Sequence, residues 1–211
     1  HELYTDDPVT TETRMTADLG RRTYRISASE GRPILLVKWV AYHDGGADAD
    51  AEDLVGLARL TIDDAQAVGR EVLAAEQRDW LAGYWANADV EIDGRPELQQ
   101  AVRWCLFQLA QATGRADGGG IGAKGVSGSG YQGHYFWDTE VYLVPFFAHT
   151  NPGLARRALR FRISMLDAAR DRAAEMAQRG ALFPWRTING QEASAYYAAG
   201  TAQYHIDADI A

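Results

Sequence analysis

The segment "TNPGLARRALRFRISMLDAARDRAAEMAQRG", from Thr150 to Gly180, carries the clearest helical signal in the chain. Asn151 can cap a helix, Pro152 suits the first helical position, and Gly180 is a typical C-terminal stop. One apolar stripe contains Leu154, Phe161 and Met165. We interpret the arginines of this segment as a solvated face. The segment therefore predicts one long helix that packs within a largely helical domain.

Further helical patterns precede this segment. One begins at Asp63 and continues to about Trp85, and a second starts at Pro96 in "GRPELQQAVRWCLFQLAQATGR". The second has an apolar face that contains Leu98, Val102, Cys105, Leu106 and Leu109. A short apolar helix around Glu140–His149 is interrupted by Pro145. These patterns predict paired helices joined by loops.

The N-terminal part of the chain has a different pattern. Thr23–Ser27 ("TYRIS") and Ile34–Tyr42 ("ILLVKWVAY") are rich in β-branched and aromatic residues, which predicts two strands and a hairpin between them. The polar stretch His43–Asp53 is interpreted as an exposed loop. We therefore predict a mainly α fold with a β segment at its start.

Composition excludes several classes of protein. The chain of 211 residues is 46% hydrophobic and 24% charged, with a net charge of −8. This acidic balance disfavours a nucleic-acid partner, and no apolar run approaches the roughly 20 residues that span a bilayer. Because Cys105 is the only cysteine, no internal disulfide can form and we expect a cytoplasmic setting. The absent initiator methionine and the helical pattern that begins at "YHIDADIA" lead us to expect a fragment.

The stretch "GVSGSGYQGHYFWDTE", Gly125–Glu140, combines a glycine-rich loop with aromatic residues and carboxylates. It lacks the strand and the lysine–serine/threonine pair of a phosphate loop, although Lys124 and Ser127 could meet an anion. The carboxylates Asp138 and Glu140 have no recognised metal-ligand spacing with a histidine. Sugar sites combine aromatic walls with carboxylates that accept paired hydrogen bonds. The walls would be Tyr131, Tyr135, Phe136 and Trp137.

Alternatives remain for the acidic residues of this stretch. Asp138 could instead cap the helix that follows it. Since residues two apart on a helix point in different directions, Asp138 and Glu140 are not expected to work as an acid/base pair.

Two later clusters also carry candidate site residues. The first is the loop Phe183–Ala195, "FPWRTINGQEASA", with Trp185, Arg186, Asn189, Gln191 and Glu192. The second is Gly200–Asp209, in which His205, Asp207 and Asp209 alternate. Alternation in a strand would gather metal ligands on one face, whereas in a helix Asp207 would act as a cap; the helix is favoured and no metal is expected.

"KGVSGSGYQGHYFWDTEVYLVPFF" and "GALFPWRTINGQEASAYYAAGTAQYHIDADIA" together resemble glycoside hydrolase family 65. The resemblance covers Leu98 to the end of the chain in detail. The family contains inverting α-glucoside phosphorylases that act on trehalose, kojibiose, nigerose or maltose. The resemblance implies the C-terminal part of a β-sandwich domain at 1–62, a helical linker at 63–96, and the N-terminal part of an (α/α)6 barrel at 97–211.

The resemblance also implies roles for individual residues. Trp137 and Asp138 would bind the glucosyl unit, with Tyr135 beside them. The acceptor sugar would lie near the second loop, which contains Trp185, Arg186, Thr187, Asn189 and Glu192. His205, in the family's last matching block, would also bind substrate. The family's general acid, a glutamate of a "GPDEY"-like motif, is absent, and so is its lysine–glutamine pair, so we expect both beyond Ala211.

The resemblance implies that the chain is part of a disaccharide phosphorylase of the trehalose or kojibiose type. We expect this fragment alone to be inactive. Its partners would be a disaccharide and inorganic phosphate as co-substrate, without a further cofactor; a homodimer is compatible with it. A hydrolase of the same family, trehalase-like, and a non-catalytic sugar-binding module are the alternatives.

Overall fold

The computed structural model describes residues 1–45, 48–114, 119–195 and 202–211, which fall into two compact units, 1–77 and 78–211. The described residues are mainly helical with small two-stranded sheets. This confirms the predicted mainly α class with a β segment at the N terminus.

The first unit begins with four strands in two antiparallel pairs. They are β1 (Glu2–Tyr4) with β4 (Leu35–Val37), and β2 (Val9–Met15) with β3 (Gly20–Ile26). The predicted hairpin between Thr23–Ser27 and Ile34–Tyr42 is therefore wrong, because each of these strands pairs with one nearer the N terminus. The physical reason lies at Asp7, which is 5% exposed. Its carboxylate accepts hydrogen bonds from Ser29 and Arg32, each at 3.1 Å, and these bonds fold the segment after β3 back across the start of the chain.

Two helices follow, α1 (Ala51–Val68) and α2 (Arg70–Ala88). The predicted loop His43–Asp53 is wrong over its last residues, since α1 begins within it; residues 46–47 of that stretch lie outside the described residues. Asp50 starts the helix because its side chain accepts the amide hydrogen of Glu52 at 2.6 Å. The break between the helices falls at Gly69, whose φ of 87° is readily adopted only by glycine.

In its described residues, the second unit contains the end of α2 and five more α-helices. They are α3 (Pro96–Gly114), α4 (Val144–Thr150), α5 (Pro152–Ser164), α6 (Leu166–Glu175) and α7 (His205–Ile210). Pro96 opens α3 as predicted. Around Pro145 the helix changes type: the π-helical turn Thr139–Leu143 ends and α4 begins one residue before the proline, so the predicted interruption corresponds to this change.

The long helix predicted over Thr150–Gly180 is two helices. Asn151 caps α5 as predicted, with its Oδ1 accepting from the amide of Leu154 at 3.3 Å. The chain then turns at Met165, which is 2% exposed and packs in the core, and α6 ends at Glu175 instead of Gly180. The apolar pattern of the sequence does not indicate this bend, because the apolar residues on both sides of it keep a helical spacing.

The core of this unit holds the two loops singled out in the sequence. One buried cluster contains Tyr135, Phe161, Met165, Ala169, Phe183 and Ile206. It therefore joins α5, α6 and α7 to both loops. None of the described helices combines the length and apolarity that crossing a membrane requires.

Candidate functional site

The two loops meet in a short antiparallel ladder. Strand β5 (Tyr135–Phe136) pairs with β6 (Arg186–Thr187), so that Tyr135 lies opposite Thr187 and Phe136 opposite Arg186. The Gly125–Glu140 and Phe183–Ala195 stretches are therefore parts of one surface, as a shared sugar site requires.

A cavity of about 880 Å³ opens beside this ladder. Its aromatic lining consists of Trp104, Tyr131, Phe136, Trp137 and Trp185, and its polar lining includes Gln108, Lys124, Ser127, Asp138 and Thr139. Flat apolar rings alternate here with hydrogen-bonding groups. This combination suits a carbohydrate, which presents apolar ring faces and rims of hydroxyl groups.

Asp138 is one of the residues that line this cavity. It occupies the N-cap position of the π-helical turn Thr139–Leu143, yet its side chain makes no capping hydrogen bond. The side chain is exposed, and within the described ranges no donor is hydrogen bonded to it. The alternative that Asp138 is a helix cap is therefore wrong. A free carboxylate beside the indole of Trp137 can accept hydrogen bonds from two neighbouring sugar hydroxyls.

Glu140 lies in an opposite environment. Its side chain is 3% exposed and forms a two-pronged ion pair with Arg162, with Nε–Oε1 and Nη2–Oε2 distances of 2.9 Å. The hydroxyl of Tyr135 also donates to Oε1 of Glu140. Burial, and then the charge of Glu140, raise the pKa of Tyr135 above its usual range. Asp138 and Glu140 thus point to different surroundings, as their spacing predicts.

The interpretation of the arginines of Thr150–Gly180 as a solvated face is wrong for Arg162. Its side chain is 2% exposed, and its guanidinium lies over the rings of Tyr135, at 4.6 Å, and Phe183, at 5.3 Å. The sequence held a usable signal, because Arg162 follows Ala158 by four residues and so falls on the buried stripe of α5.

Glu192 holds the second loop in shape. Its Oε2 accepts from the Trp185 amide at 2.8 Å and from Arg172 at 3.0 Å, and its Oε1 accepts from the amides of Arg186 at 3.2 Å and Ser194 at 3.1 Å. Its side chain is 12% exposed. The carboxylate is thus engaged by the protein, and it fixes the backbone that carries the cavity residue Trp185.

The other candidates of the second loop have distinct positions. Thr187 is buried, and its hydroxyl accepts the amide hydrogen of Gly190 at 2.8 Å. Asn189 is exposed and accepts from the amide of Gln191 at 3.2 Å. Both therefore shape the turn after β6.

Arg186 connects the two loops. One guanidinium nitrogen, Nη2, lies 3.2 Å from the side-chain oxygen of Gln132 and 3.1 Å from Nδ1 of His134. Its Nε is buried without a hydrogen-bond partner among the described residues. Arg186 lies next to Trp185 in the chain and so holds the first loop against this cavity wall.

The third cluster reaches the site through one contact. The ring of His205, at the start of α7, meets the indole of Trp137 at a centroid distance of 5.2 Å. The alternative of Asp207 as a helix cap is wrong, because its Oδ1 accepts from the amide of Phe183 at 2.9 Å and Tyr204 holds the cap position. Residues 200–201 of this cluster lie outside the described residues. In the described part of the chain, no three His, Cys, Asp or Glu side chains converge as metal ligands.

Sequence reasoning did not anticipate the wall that α3 contributes. Trp104 and Gln108 line the cavity from the middle of that helix. Their spacing of four residues, which places both on one face, was the available signal.

The chain is similar to several known proteins. Residues 103–211 match the family model described as the glycosyl hydrolase family 65 central catalytic domain. The chain is 46% identical to an α,α-trehalose phosphorylase of Thermoanaerobacter brockii over 88% of its length and 24% of the relative's. It is 58% identical to the α,α-trehalose phosphorylase of Geobacillus stearothermophilus over 66% of its length and 18% of the relative's.

A solved structure from the human microbiome that carries the name kojibiose phosphorylase is also similar. It superposes with a TM-score of 0.65 at 31% identity and covers 77% of this chain and 23% of its own. The chain therefore spans about a quarter or less of the length of these relatives.

Proposed function

Because this chain belongs to glycosyl hydrolase family 65, we propose that the full-length protein is a disaccharide phosphorylase that cleaves α,α-trehalose with inorganic phosphate. Trehalose is chosen over kojibiose on similarity, since the identity is 58% to one trehalose phosphorylase and 37% to the kojibiose phosphorylase of Halothermothrix orenii.

One observation carries the proposal: Asp138, whose carboxylate has no hydrogen-bond donor among the described residues, lines the cavity next to Trp137. Trp137 supplies an apolar ring against which a glucosyl ring can stack, and Asp138 accepts hydrogen bonds from its hydroxyls. The glucosyl unit is therefore proposed to bind at Trp137 and Asp138. The second sugar is proposed to bind toward the loop of Trp185, with Arg186 and Asn189 within its reach.

The proposed reaction inverts the configuration at the anomeric carbon. A general acid protonates the glycosidic oxygen while a phosphate oxygen attacks the anomeric carbon from the opposite face, and the bond to the leaving sugar breaks. The products are β-glucose 1-phosphate and glucose. Phosphate replaces the water that an inverting hydrolase activates, so a second catalytic carboxylate is not needed. The general acid is proposed to be a glutamate outside these 211 residues.

The architecture is part of the same proposal. Residues 1–62 would complete a β-sandwich domain, 63–96 would form a helical linker, and 97–211 would supply the first helices of an (α/α)6 barrel. The division between the two compact units, at 77/78, falls inside the proposed linker.

The test is an assay of the full-length protein with trehalose, in the presence and absence of inorganic phosphate. Release of β-glucose 1-phosphate and glucose in equal amounts, only with phosphate, is the expected result. Glucose release at the same rate without phosphate would identify a hydrolase instead, and sugar binding without either product would identify a binding module.

A further inference from the structure

The ion pair between Glu140 and Arg162 is linked closely in the chain to the proposed glucosyl site, because Glu140 follows Asp138 by two residues. Both side chains are almost fully buried, and the pair uses both carboxylate oxygens and two guanidinium nitrogens at 2.9 Å. Such a fork-to-fork pair fixes the direction of the carboxylate as well as its position. Glu140 is thereby held in one orientation.

The fixed orientation of Glu140 constrains Asp138, because the backbone between the two residues is very short. A single residue, Thr139, separates Asp138 from Glu140, and it is itself 4% exposed. The carbonyl of Trp137 accepts the amide hydrogens of Glu140 at 3.0 Å and Val141 at 3.4 Å. The turn that presents Trp137 and Asp138 to the cavity is therefore closed by the same residue that Arg162 holds.

The same guanidinium also contacts the second loop. It lies over the ring of Phe183, two residues before the cavity residue Trp185, and over the ring of Tyr135, which is paired with Thr187. One charged group on α5 thus touches both loops that form the cavity walls.

We propose that Arg162 is a positioning residue of the sugar site, which sets the direction of the Asp138 carboxylate through its two-pronged pair with Glu140. The inference rests on the proposed function, because it assigns Arg162 a part in binding the glucosyl unit. Arg162 itself touches no substrate.

Stability alone does not account for such a pair. A buried ion pair replaced by apolar residues of similar volume often leaves a protein as stable as before, because desolvation of the charges offsets their attraction. A positioning role predicts a different pattern: activity depends on the fork geometry and not only on a filled core.

The sharpest test is a double-mutant cycle in the full-length protein. Arg162→Lys keeps the positive charge but loses the fork, so a displaced Asp138 should lower kcat/KM for trehalose phosphorolysis by about 10²-fold. In an Asp138→Asn background the same substitution should change kcat/KM by less than about 2-fold, because the group it positions is already lost. Arg160→Lys, an exposed substitution on the same helix, is the matched control and should leave kcat/KM unchanged.

Two results would overturn the inference. One is an equal loss from Arg162→Lys in both backgrounds, and the other is a loss fully explained by a smaller folded fraction in circular dichroism. If the unsubstituted protein shows no phosphorolysis, this result contradicts the proposed function and leaves the inference about Arg162 to be tested by sugar binding. Calorimetric titration of the same proteins with glucose then decides the inference: Arg162→Lys must weaken glucose binding only when Asp138 is present.

Discussion

The imidazole of His205 meets the indole of Trp137 edge to face, with centroids 5.2 Å apart and ring planes at 79°. His205 opens α7, and its Nδ1 lies 3.0 Å from the carboxylate of Asp209 one turn later. Trp137 therefore has the cavity on one side and the start of α7 on another, so that α7 supports one wall of the proposed sugar site.

Removal of this support should weaken sugar binding. Since an aromatic pair contributes ~0.5–1.5 kcal/mol, His205→Ala should raise the KM for trehalose by about 2- to 12-fold. His205→Phe should stay near the unsubstituted value because it keeps the edge-to-face contact. His149→Ala, at an exposed histidine of α4, is the control for steady-state kinetics. An unchanged KM in His205→Ala would show that the contact does not support the site.

Tyr84 should give the protein an alkaline limit. It is 4% exposed, its hydroxyl donates to the carbonyl of Leu106 at 2.8 Å, and burial raises the pKa of Tyr84 to about 12. The neutral phenol is the form that the fold accommodates. Its stabilisation is therefore complete below the ordinary pKa of 10 and is lost as the pH rises from there to about 12.

Tyr84→Phe tests this directly. The variant should lose about 1 kcal/mol of unfolding free energy at neutral pH, because one buried hydrogen bond is removed. Its thermal midpoint should then fall less steeply between pH 10 and about pH 12 than that of the unsubstituted protein. Tyr142→Phe, at a tyrosine that is 64% exposed, should keep the original pH dependence. Equal slopes for the Tyr84→Phe and unsubstituted proteins would contradict the assignment.

Glu192→Gln should loosen the second loop. Each oxygen of Glu192 accepts from two donors, so either orientation of the new amide turns an NH2 group toward N–H donors. We expect a loss of about 2 kcal/mol in unfolding free energy and a higher KM for trehalose. Glu175→Gln, exposed on α6, serves as control. Unchanged stability with a large loss of kcat would instead favour direct contact of Glu192 with the second sugar.

Substrate choice separates members of the family. On the proposed function, trehalose should be cleaved with phosphate faster than kojibiose or maltose, because the chain is more similar to the two trehalose phosphorylases than to the kojibiose phosphorylase of Halothermothrix orenii. Initial rates with the three disaccharides at equal concentration provide the comparison. Faster cleavage of kojibiose or of maltose than of trehalose would contradict the choice of trehalose. Tyr196 and Tyr197, which end the "FPWRTINGQEASAYY" stretch, lie outside the described residues.

Local signals predicted the fold where the stabilising contact is local. Pro96 opens a helix and Asn151 caps one, because both effects act within a single turn. The strand pairing failed for the opposite reason: β2 reads "VTTETRM", with no clean apolar alternation, and its place depends on Asp7 binding residues more than twenty positions away.

The same distinction holds in the site. The aromatic and carboxylate pattern around Trp137 and Asp138 predicted a sugar surface, and the structure places both residues at the cavity. The burial of Arg162 depends on Glu140, which lies 22 positions away in the chain, and no local pattern announces such a partner. Whether Asp138 caps a helix or keeps a free carboxylate likewise depends on the direction of its side chain, which the sequence pattern does not determine.

The most direct measurement is the affinity of the full-length protein for glucose, by calorimetric titration, before and after Asp138→Asn. The substitution turns one of two acceptor oxygens into a donor while it keeps the size of the side chain, so the fold should persist. A bond to a charged acceptor contributes about 1.5–3 kcal/mol, and its loss should weaken glucose binding by at least about 10-fold, with most trehalose turnover lost as well. Glucose affinity and turnover that stay at the unsubstituted values would contradict the account, because Asp138 would then not bind the glucosyl unit.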